Sequence, residues 1–202
     1  LDNATLSVTT LDNDTATVTI DNVSVSEGAG TATMVLRLTN AVSSSFTVNA
    51  FTSDGTARSS QFDYTAISSQ TVSFDRGYYG ENSNMRNVTI TLRNDSQVEG
   101  NETLTLSMSN VSNSNVDISN KGTLTIIDDD IATVSIADVS FSEDNGTATV
   151  TLVLDKDFMP GSFTVDVSTT DGTALSGSDY TAVGSQTVNF VGTTNEQKQV
   201  DI

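Results

Sequence analysis

The segment Ala16-Thr-Val-Thr-Ile20 returns 116 residues later (132 − 16) as Ala132-Thr-Val-Ser-Ile136. Both copies alternate an apolar residue with Thr or Ser, which is the period-two pattern of a β-strand with one buried face. Recurrence of a strand pattern at a fixed offset is the signature of tandem domains. The sequence therefore predicts a β protein built from repeats.

Three further segments of the first copy recur in the same order in the second. They are Val23-Ser-Val-Ser-Glu27 with Val139-Ser-Phe-Ser-Glu143, Asp54-Gly-Thr-Ala57 with Asp171-Gly-Thr-Ala174, and Asp63-Tyr-Thr-Ala66 with Asp179-Tyr-Thr-Ala182. The middle pair is displaced by one residue because the turn around Met159-Pro-Gly161 is longer. The order of segments thus defines one repeat unit.

The repeat register divides the chain into three parts. Leu11-Asp-Asn-Asp14 matches Ile127-Asp-Asp-Asp130, so residues 1–14 are expected to end a preceding repeat. Residues 15–130 form a complete repeat, and 131–202 begin another one that stops before the counterpart of 91–130. We expect the third part to be completed by its own continuation. Strand addition by residues 5–11 of a neighbouring chain is the alternative.

Within the complete repeat, apolar and hydroxyl residues alternate between clusters of Gly, Asn and Asp, which favour turns. No helical periodicity competes with this pattern. We predict tandem Ig-like antiparallel β-sandwiches with about seven strands per repeat. The predicted strands lie near 16–20, 31–39, 46–53, 71–74, 86–93, 102–110 and 121–127.

The composition restricts the classes of partner and of chemistry. The 202 residues include 26 acids and 8 bases, a net charge of −18, so nucleic acid and anionic membrane surfaces are disfavoured and cations are expected. Cysteine is absent, which excludes disulfides and thiolate metal sites. Histidine is also absent, so the commonest general base is missing and we expect no catalytic site. No apolar run is long enough to predict membrane insertion.

The ordered set Ala-Thr-Val-x-Ile, Ser-Glu, Asp-Gly-Thr-Ala, Asp-Tyr-Thr-Ala, Glu99-Gly-Asn-Glu102 and Asp128-Asp-Asp130 resembles the Calx-β family. The resemblance covers the whole of 15–130 and all of 131–202. It implies an Ig-like sandwich with calcium in the loops at one end. Members of that family serve as regulatory calcium-binding domains of sodium–calcium exchangers, and they occur in large bacterial surface and adhesion proteins.

Carried over position by position, the resemblance implies a set of calcium ligands. In the complete repeat these are Glu27, Asp54, Asn94, Asp95, Glu99, Glu102, Asp128, Asp129 and Asp130. In the last part of the chain they are Glu143 and Asp171. Asn94 stands where the exchanger pattern has an acid, and Ser96 and Gly100 thin the acidic run further, which implies that one ion of a multi-ion cluster is weak or absent.

The chemistry of these residue types agrees with that implication. Calcium takes about 6–8 oxygen ligands, mostly carboxylate and carbonyl, and flexible loops supply them readily. Carboxylates gathered at one end of a domain repel one another unless a divalent ion bridges them. Metal binding and folding are therefore expected to be coupled.

Each acidic group also has a structural alternative. Asp54 and Asp171 favour Asp-Gly turns by themselves, and the triplet 128–130 could be a solvated linker. Glu99 and Glu102 could be exposed loop acids. Asp63 and Asp179, which precede tyrosines, are interpreted as structural turn residues.

Three classes of function remain open from the sequence. The first is an extracellular or cell-surface structural or adhesive array in which calcium rigidifies the junctions between repeats. The family resemblance favours a bacterial source. The partners of this array would be neighbouring repeats and other copies of the protein in a filament or matrix. The second is a calcium sensor that regulates an attached transporter or other protein. The third, an enzyme or carbohydrate-binding module, has one candidate contact, Tyr78-Tyr79, for which loop packing is the favoured interpretation.

Overall fold

The computed structural model describes residues 15–77, 84–142, 144 and 146–202. Its regular structure is β-strand with short 3₁₀ turns, so the predicted all-β class is confirmed. Within the described residues, no helix has the length and apolar character needed to cross a membrane. Glu143 and the pair Tyr78-Tyr79 lie outside the described residues.

Two sheets, in which most of the strand pairs are antiparallel, form the first sandwich. One has the strand order β6-β3-β1-β8 and the other β2-β9-β7-β4-β5. The strands are β1 Ala16–Ile20, β2 Val23–Ser26, β3 Thr31–Leu38, β4 Phe46–Asp54, β5 Gln70–Phe74, β6 Met85–Thr91, β7 Glu102–Ser109, β8 Val116–Asp117 and β9 Gly122–Ile127. All seven predicted strands are present, and the short strands β2 and β8 are additional.

The core of this sandwich consists of the apolar members of the alternating strands. Val18, Leu36, Val48 and Leu104 are completely buried, and each such side chain stabilises the fold by about 1.5–3 kcal/mol. The two sheets approach each other closely at Gly122. A Cβ atom there would lie 2.4 Å from Ile20 Cγ2 and 2.8 Å from Met34 Cε, so no side chain fits at this position.

The second repeat has two smaller sheets, with orders β10-β11-β14 and β12-β13. Their strands are β10 Val134–Ile136, β11 Thr149–Leu154, β12 Phe163–Val167, β13 Gln186–Phe190 and β14 Gln197–Asp201. Leu152, Leu154, Phe190 and Val200 form the buried centre. The Phe163 and Phe190 rings stack with their centroids 5.3 Å apart.

Some apolar residues in the second repeat are more exposed than their counterparts in the first. Ile136 is 54% exposed, whereas Ile20, at the matching position, is 5% exposed. The segment matching β2, residues 139–142, forms no strand. In the first repeat, β2 pairs with β9, which lies next to β7. The described part of the second repeat has no counterparts of β7 and β9, so exposure of its apolar residues is expected.

The chain forms two compact units. Unit 1 contains the described residues up to Val25, together with Thr31–Leu92 and Thr103–Thr125. Unit 2 contains Ser26–Gly30, Arg93–Glu102 and Ile126–Ile202. Three acidic loops of the first sequence repeat therefore belong to the same compact unit as residues 131–202.

Candidate metal centre

Glu27 is placed by a short turn that follows β2. It begins a 3₁₀ turn, Glu27–Ala29, in which the Ser26 hydroxyl accepts a hydrogen bond from the backbone N–H of Gly28. Gly30 ends the turn at φ 71°, a left-handed conformation that glycine adopts without strain. The Glu27 side chain is directed inward as a result, and only 6% of the residue is exposed.

Asp129 and Asp130 meet Glu27 in unit 2. Each of the three residues offers a carboxylate oxygen within 4.8 Å of the other two, and we call this group the Glu27 cluster. The Ser26 hydroxyl donates to Asp129 Oδ2 at 2.8 Å, which connects segments 103 residues apart in the sequence. A Cβ on Gly28 would lie 2.6 Å from the same oxygen, so the close approach requires glycine.

Two oxygens of the Glu27 cluster are buried and unpartnered. No hydrogen-bond partner within the described residues reaches Glu27 Oε1 or Asp130 Oδ2. A buried carboxylate oxygen without a partner is costly, and a bound cation removes that cost. These two oxygens distinguish the cluster from a set of solvated surface acids.

The electrostatics of Glu27 follow from this placement. Burial is the largest cause that raises the pKa of Glu27 from 4.5 to about 7. The negative charges of Asp95, Asp128, Asp129 and Asp130 raise it further. In the absence of a cation, Glu27 is therefore partly protonated near neutral pH.

Asp128 organises the loops around the cluster. Its Oδ2 accepts hydrogen bonds from the backbone N–H groups of Glu99 at 3.1 Å and Gly100 at 3.0 Å. Its Oδ1 accepts from the N–H of Asp130 at 3.0 Å. Asp128 thus joins the loop 93–102 to the segment after β9, a role that a solvated linker would not have.

The loop 93–102 carries the other predicted ligands of unit 2. Asp95 accepts from the Gln97 N–H at 2.8 Å, which closes a local turn. Asn94 Oδ1 would lie 3.3 Å from a Cβ on Gly28, so this amide borders the Glu27 turn. Glu99 and Glu102 are half-buried, and they bring carboxylate oxygens within 4.8 Å of each other.

Asp54 and Asp171 occupy equivalent local turns. Asp54 Oδ1 accepts from the Tyr64 hydroxyl at 2.5 Å and from the Ser59 N–H at 3.1 Å. Asp171 Oδ1 accepts from the Tyr180 hydroxyl at 2.7 Å and from the Ser176 N–H. Among the described residues, neither aspartate belongs to a group of acids that could hold a metal ion, so their placement favours the turn interpretation.

The same hydrogen bond with tyrosine lowers the pKa of Asp54 and of Asp171 below the ordinary value, and it is the largest cause in both. Asp63 and Asp179, interpreted from the sequence as turn residues, also accept hydrogen bonds from nearby backbone groups. Asp63 accepts from the Arg58 N–H, and Asp179 accepts from the Leu175 N–H at 2.8 Å.

Lys156 is a member of the site that the sequence analysis missed. Its ammonium nitrogen lies 2.7 Å from Asp130 Oδ1. Beside it, Val98 forms a parallel bridge with Phe158, in which the Val98 N–H donates to Asp157 O and the Met159 N–H donates to Val98 O. No motif marks Lys156, because the contact depends on where β11 ends within unit 2.

A family model described as the Calx-beta domain matches residues 11–138 and 128–202. The chain belongs to the Calx-beta domain family. This confirms the family assignment and the sandwich fold class of both matched segments. No curated protein matches this Calx-beta chain.

Several solved structures are similar in fold. The apo form of the Calx CBD1 domain is 20% identical, covers 58% of this chain and 100% of its own, and has a TM-score of 0.48. CBD12 from CALX1.2 is 20% identical, covers 92% and 73%, and has a TM-score of 0.49. The Calx CBD2 domain is 10% identical, covers 59% and 91%, and has a TM-score of 0.48.

The donor set of this Calx-beta chain fits a hard cation. The Glu27 cluster offers only oxygen ligands, and Asp95 and Asp128 add negative charge nearby. Calcium is bound by such sets, whereas zinc usually requires nitrogen or sulfur ligands. The buried oxygens of Glu27 and Asp130 identify the residues that would hold the ion.

The raised pKa of Glu27 predicts how stability depends on pH in chelator. The pKa of Glu27 is about 7 in the folded chain and 4.5 in the reference state. At pH values between these two, the Glu27 carboxyl is more protonated in the folded chain than in the unfolded chain. The free energy of unfolding should therefore fall as pH rises from 4.5 to 7, by up to about 3 kcal/mol from this group. Urea titrations of wild type and E27Q across this range measure the effect as their difference.

E27Q keeps the shape of the side chain but cannot titrate, so its stability relative to wild type should increase over the same interval. Carboxylates distant from Glu27 are the same in both proteins, so their contributions cancel in the comparison. A constant difference between pH 4.5 and 7 would show that neither burial nor the neighbouring charges raise the pKa of Glu27.

Proposed function

We propose that the Glu27 cluster binds calcium, and that the chain serves as a calcium-stiffened structural or adhesive array in an extracellular or cell-surface protein. The observation that carries the calcium site is the pair of buried, unpartnered oxygens on Glu27 and Asp130. They lie among carboxylates, which offer only oxygen atoms as metal ligands, and calcium is bound by oxygen ligands. The proposed role is non-catalytic.

The position of the acidic loops supports stiffening of the junction. Asp130 is followed directly by Ile131, with no Gly/Ser spacer between the repeats. The loop 93–102 is also held to residues 157–159 by the Val98 bridge, within unit 2. An ion bound by Asp129 and Asp130 would restrain the chain where one repeat passes into the next.

The partners proposed for this array are neighbouring repeats and other copies of the protein. The charge of −18 supports bridging by cations and disfavours nucleic acid. A bacterial surface location remains a proposal that rests on the family resemblance.

A calcium sensor is the second candidate, and the Lys156–Asp130 ion pair favours it. A lysine that already pairs with a cluster acid gives the metal-free state a defined arrangement, as a reversible switch requires. Titration calorimetry separates the two functions. Sensor sites bind calcium with dissociation constants of about 10⁻⁷–10⁻⁵ M, and extracellular modules with about 10⁻⁴–10⁻³ M.

The stiffening role predicts a change in solution scattering. The 202-residue chain should give a narrower distribution of maximum dimensions in calcium than in chelator, because an ion that bridges Asp129 and Asp130 removes bending at the junction. Small-angle X-ray scattering at equal ionic strength measures the two distributions. Magnesium should have a smaller effect, since it demands octahedral geometry and retains water.

D117N is a matched control for this experiment, because Asp117 closes an exposed turn with Ser119 in unit 1. It removes one negative charge and should retain the calcium response. E27Q should lose the response. Identical scattering of wild type with and without calcium, at concentrations where calorimetry shows saturation, would leave a calcium site without a stiffening role.

A further inference from the structure

Lys156 presents a fixed positive charge to the Glu27 cluster. Its ammonium lies 2.7 Å from Asp130 Oδ1, and only 12% of the Asp130 side chain is exposed. The hydrogen bond to Asp130 is the largest cause that raises the pKa of Lys156, so the ammonium remains charged at neutral pH. A charge-assisted contact of this length in a partly buried place is stronger than an exposed surface pair.

The backbone around Lys156 holds its side chain in position. The Asp155 N–H donates to Thr133 O at 3.1 Å, and the Thr133 N–H donates to Asp155 Oδ1 at 2.6 Å. Thr133 lies three residues after Asp130 in the sequence, so this reciprocal pair ties the turn that carries Lys156 to the segment that carries its partner. The backbone therefore already holds Lys156 and Asp130 near each other.

The lysine compensates the cluster only in part. It satisfies Asp130 Oδ1, while Asp130 Oδ2 and Glu27 Oε1 have no hydrogen-bond partner in the described part of the chain. A divalent ion held by those oxygens would stand close to the ammonium of Lys156. Like charges in a partly buried site repel strongly, so the ion and the lysine compete for Asp130.

The first repeat has a neutral residue at the matching position. Asn40 precedes Lys156 by 116 residues, and its side-chain amide donates to Thr15 O at 2.9 Å. The two repeats therefore differ in charge at this position, which is neutral in the first repeat and positive in the second.

We infer that Lys156 is a built-in competitor of the cation at Asp130, through which the second repeat sets the calcium affinity of the acidic loops before it. This inference rests on the proposed calcium site. It assigns to a residue outside the acidic loops the role of an affinity determinant.

The test compares calcium binding by the 202-residue wild type, K156Q, K156R and K198Q in titration calorimetry. K156Q should bind calcium about tenfold more tightly, because the competing charge is absent. K156R should stay within about twofold of wild type because it keeps the charge. K198Q is the matched control, since Lys198 pairs with Glu196 at 2.8 Å in the same unit, and it should bind as wild type does.

Melting in chelator provides an independent readout with the opposite sign. In chelator, K156Q should melt at a lower temperature than wild type, because Asp130 loses its partner. Calcium should then raise the melting temperature of K156Q above its value in chelator. Unchanged affinity in K156Q, with wild type binding calcium, would overturn the inference and leave the calcium site intact. Binding by K156Q alone would support competition in its strongest form. Absence of binding in both proteins would overturn the proposed site and the inference together.

Discussion

Excess calcium should raise the melting temperature of the chain by about 5–10 °C over its value in chelator. A ligand that binds only the folded state at 100 times its dissociation constant stabilises it by about 2.7 kcal/mol, and 1 kcal/mol corresponds to about 2–4 °C for a chain of this size. The gain is expected because an ion at the proposed calcium site would contact Glu27 Oε1 and Asp130 Oδ2, which are buried and unpartnered among the described residues. Differential scanning calorimetry in calcium, magnesium and chelator measures it.

E27Q separates this effect from general screening of charge. The substitution removes the most buried acid of the Glu27 cluster, so the calcium-dependent part of the melting temperature should largely disappear. D117N also removes one carboxylate, which makes the net charge less negative, and it should keep the full response. Equal melting temperatures of wild type in excess calcium and in chelator would refute the calcium site.

The triple substitution D128N/D129N/D130N should weaken calcium binding by at least about 100-fold. It leaves Glu27 without the neighbouring carboxylates that would share the ion, and calcium affinity depends on the number of charged ligands. The fold should persist, since an amide oxygen at position 128 can still accept from Glu99 and Gly100 N–H. Calorimetry for binding and circular dichroism for folding provide the measurements.

The single substitutions D128N and D129N test the geometry within that triplet. Both oxygens of Asp128 already accept backbone hydrogen bonds, whereas Asp129 belongs to the Glu27 cluster. D129N should therefore reduce calcium affinity more than D128N does. The reverse order would mean that the ion is held nearer to the loop 93–102. Wild-type affinity in the triple variant would exclude the triplet from the site.

The strands followed from the sequence wherever alternation was long enough to be visible. Runs such as Thr31–Leu38 and Phe46–Asp54 span eight and nine residues, so their period of two is unambiguous. β2 and β8, with four and two residues, were not predicted. They form because neighbouring strands of the sandwich offer them backbone partners.

The acidic site was determined in part by the sequence. The resemblance to the Calx-β family, together with residue type, was enough to nominate Glu27, Asp129 and Asp130 as oxygen ligands. They were not enough to separate them from Asp54 and Asp171, which have the same chemistry. A tyrosine hydroxyl donates to each of those two aspartates, which favours the turn interpretation, and only packing places that hydroxyl.

By itself, the sequence determined the repeat, the all-β class, the Calx-beta family and the excess of acids. The tertiary structure decided which acids are buried together, and that Lys156 faces Asp130. Strand alternation is a local property of the chain, so it can be read from consecutive residues. Burial, unpartnered oxygens and the raised pKa of Glu27 depend on segments distant in sequence, whose approach is fixed only when the loops close around one another.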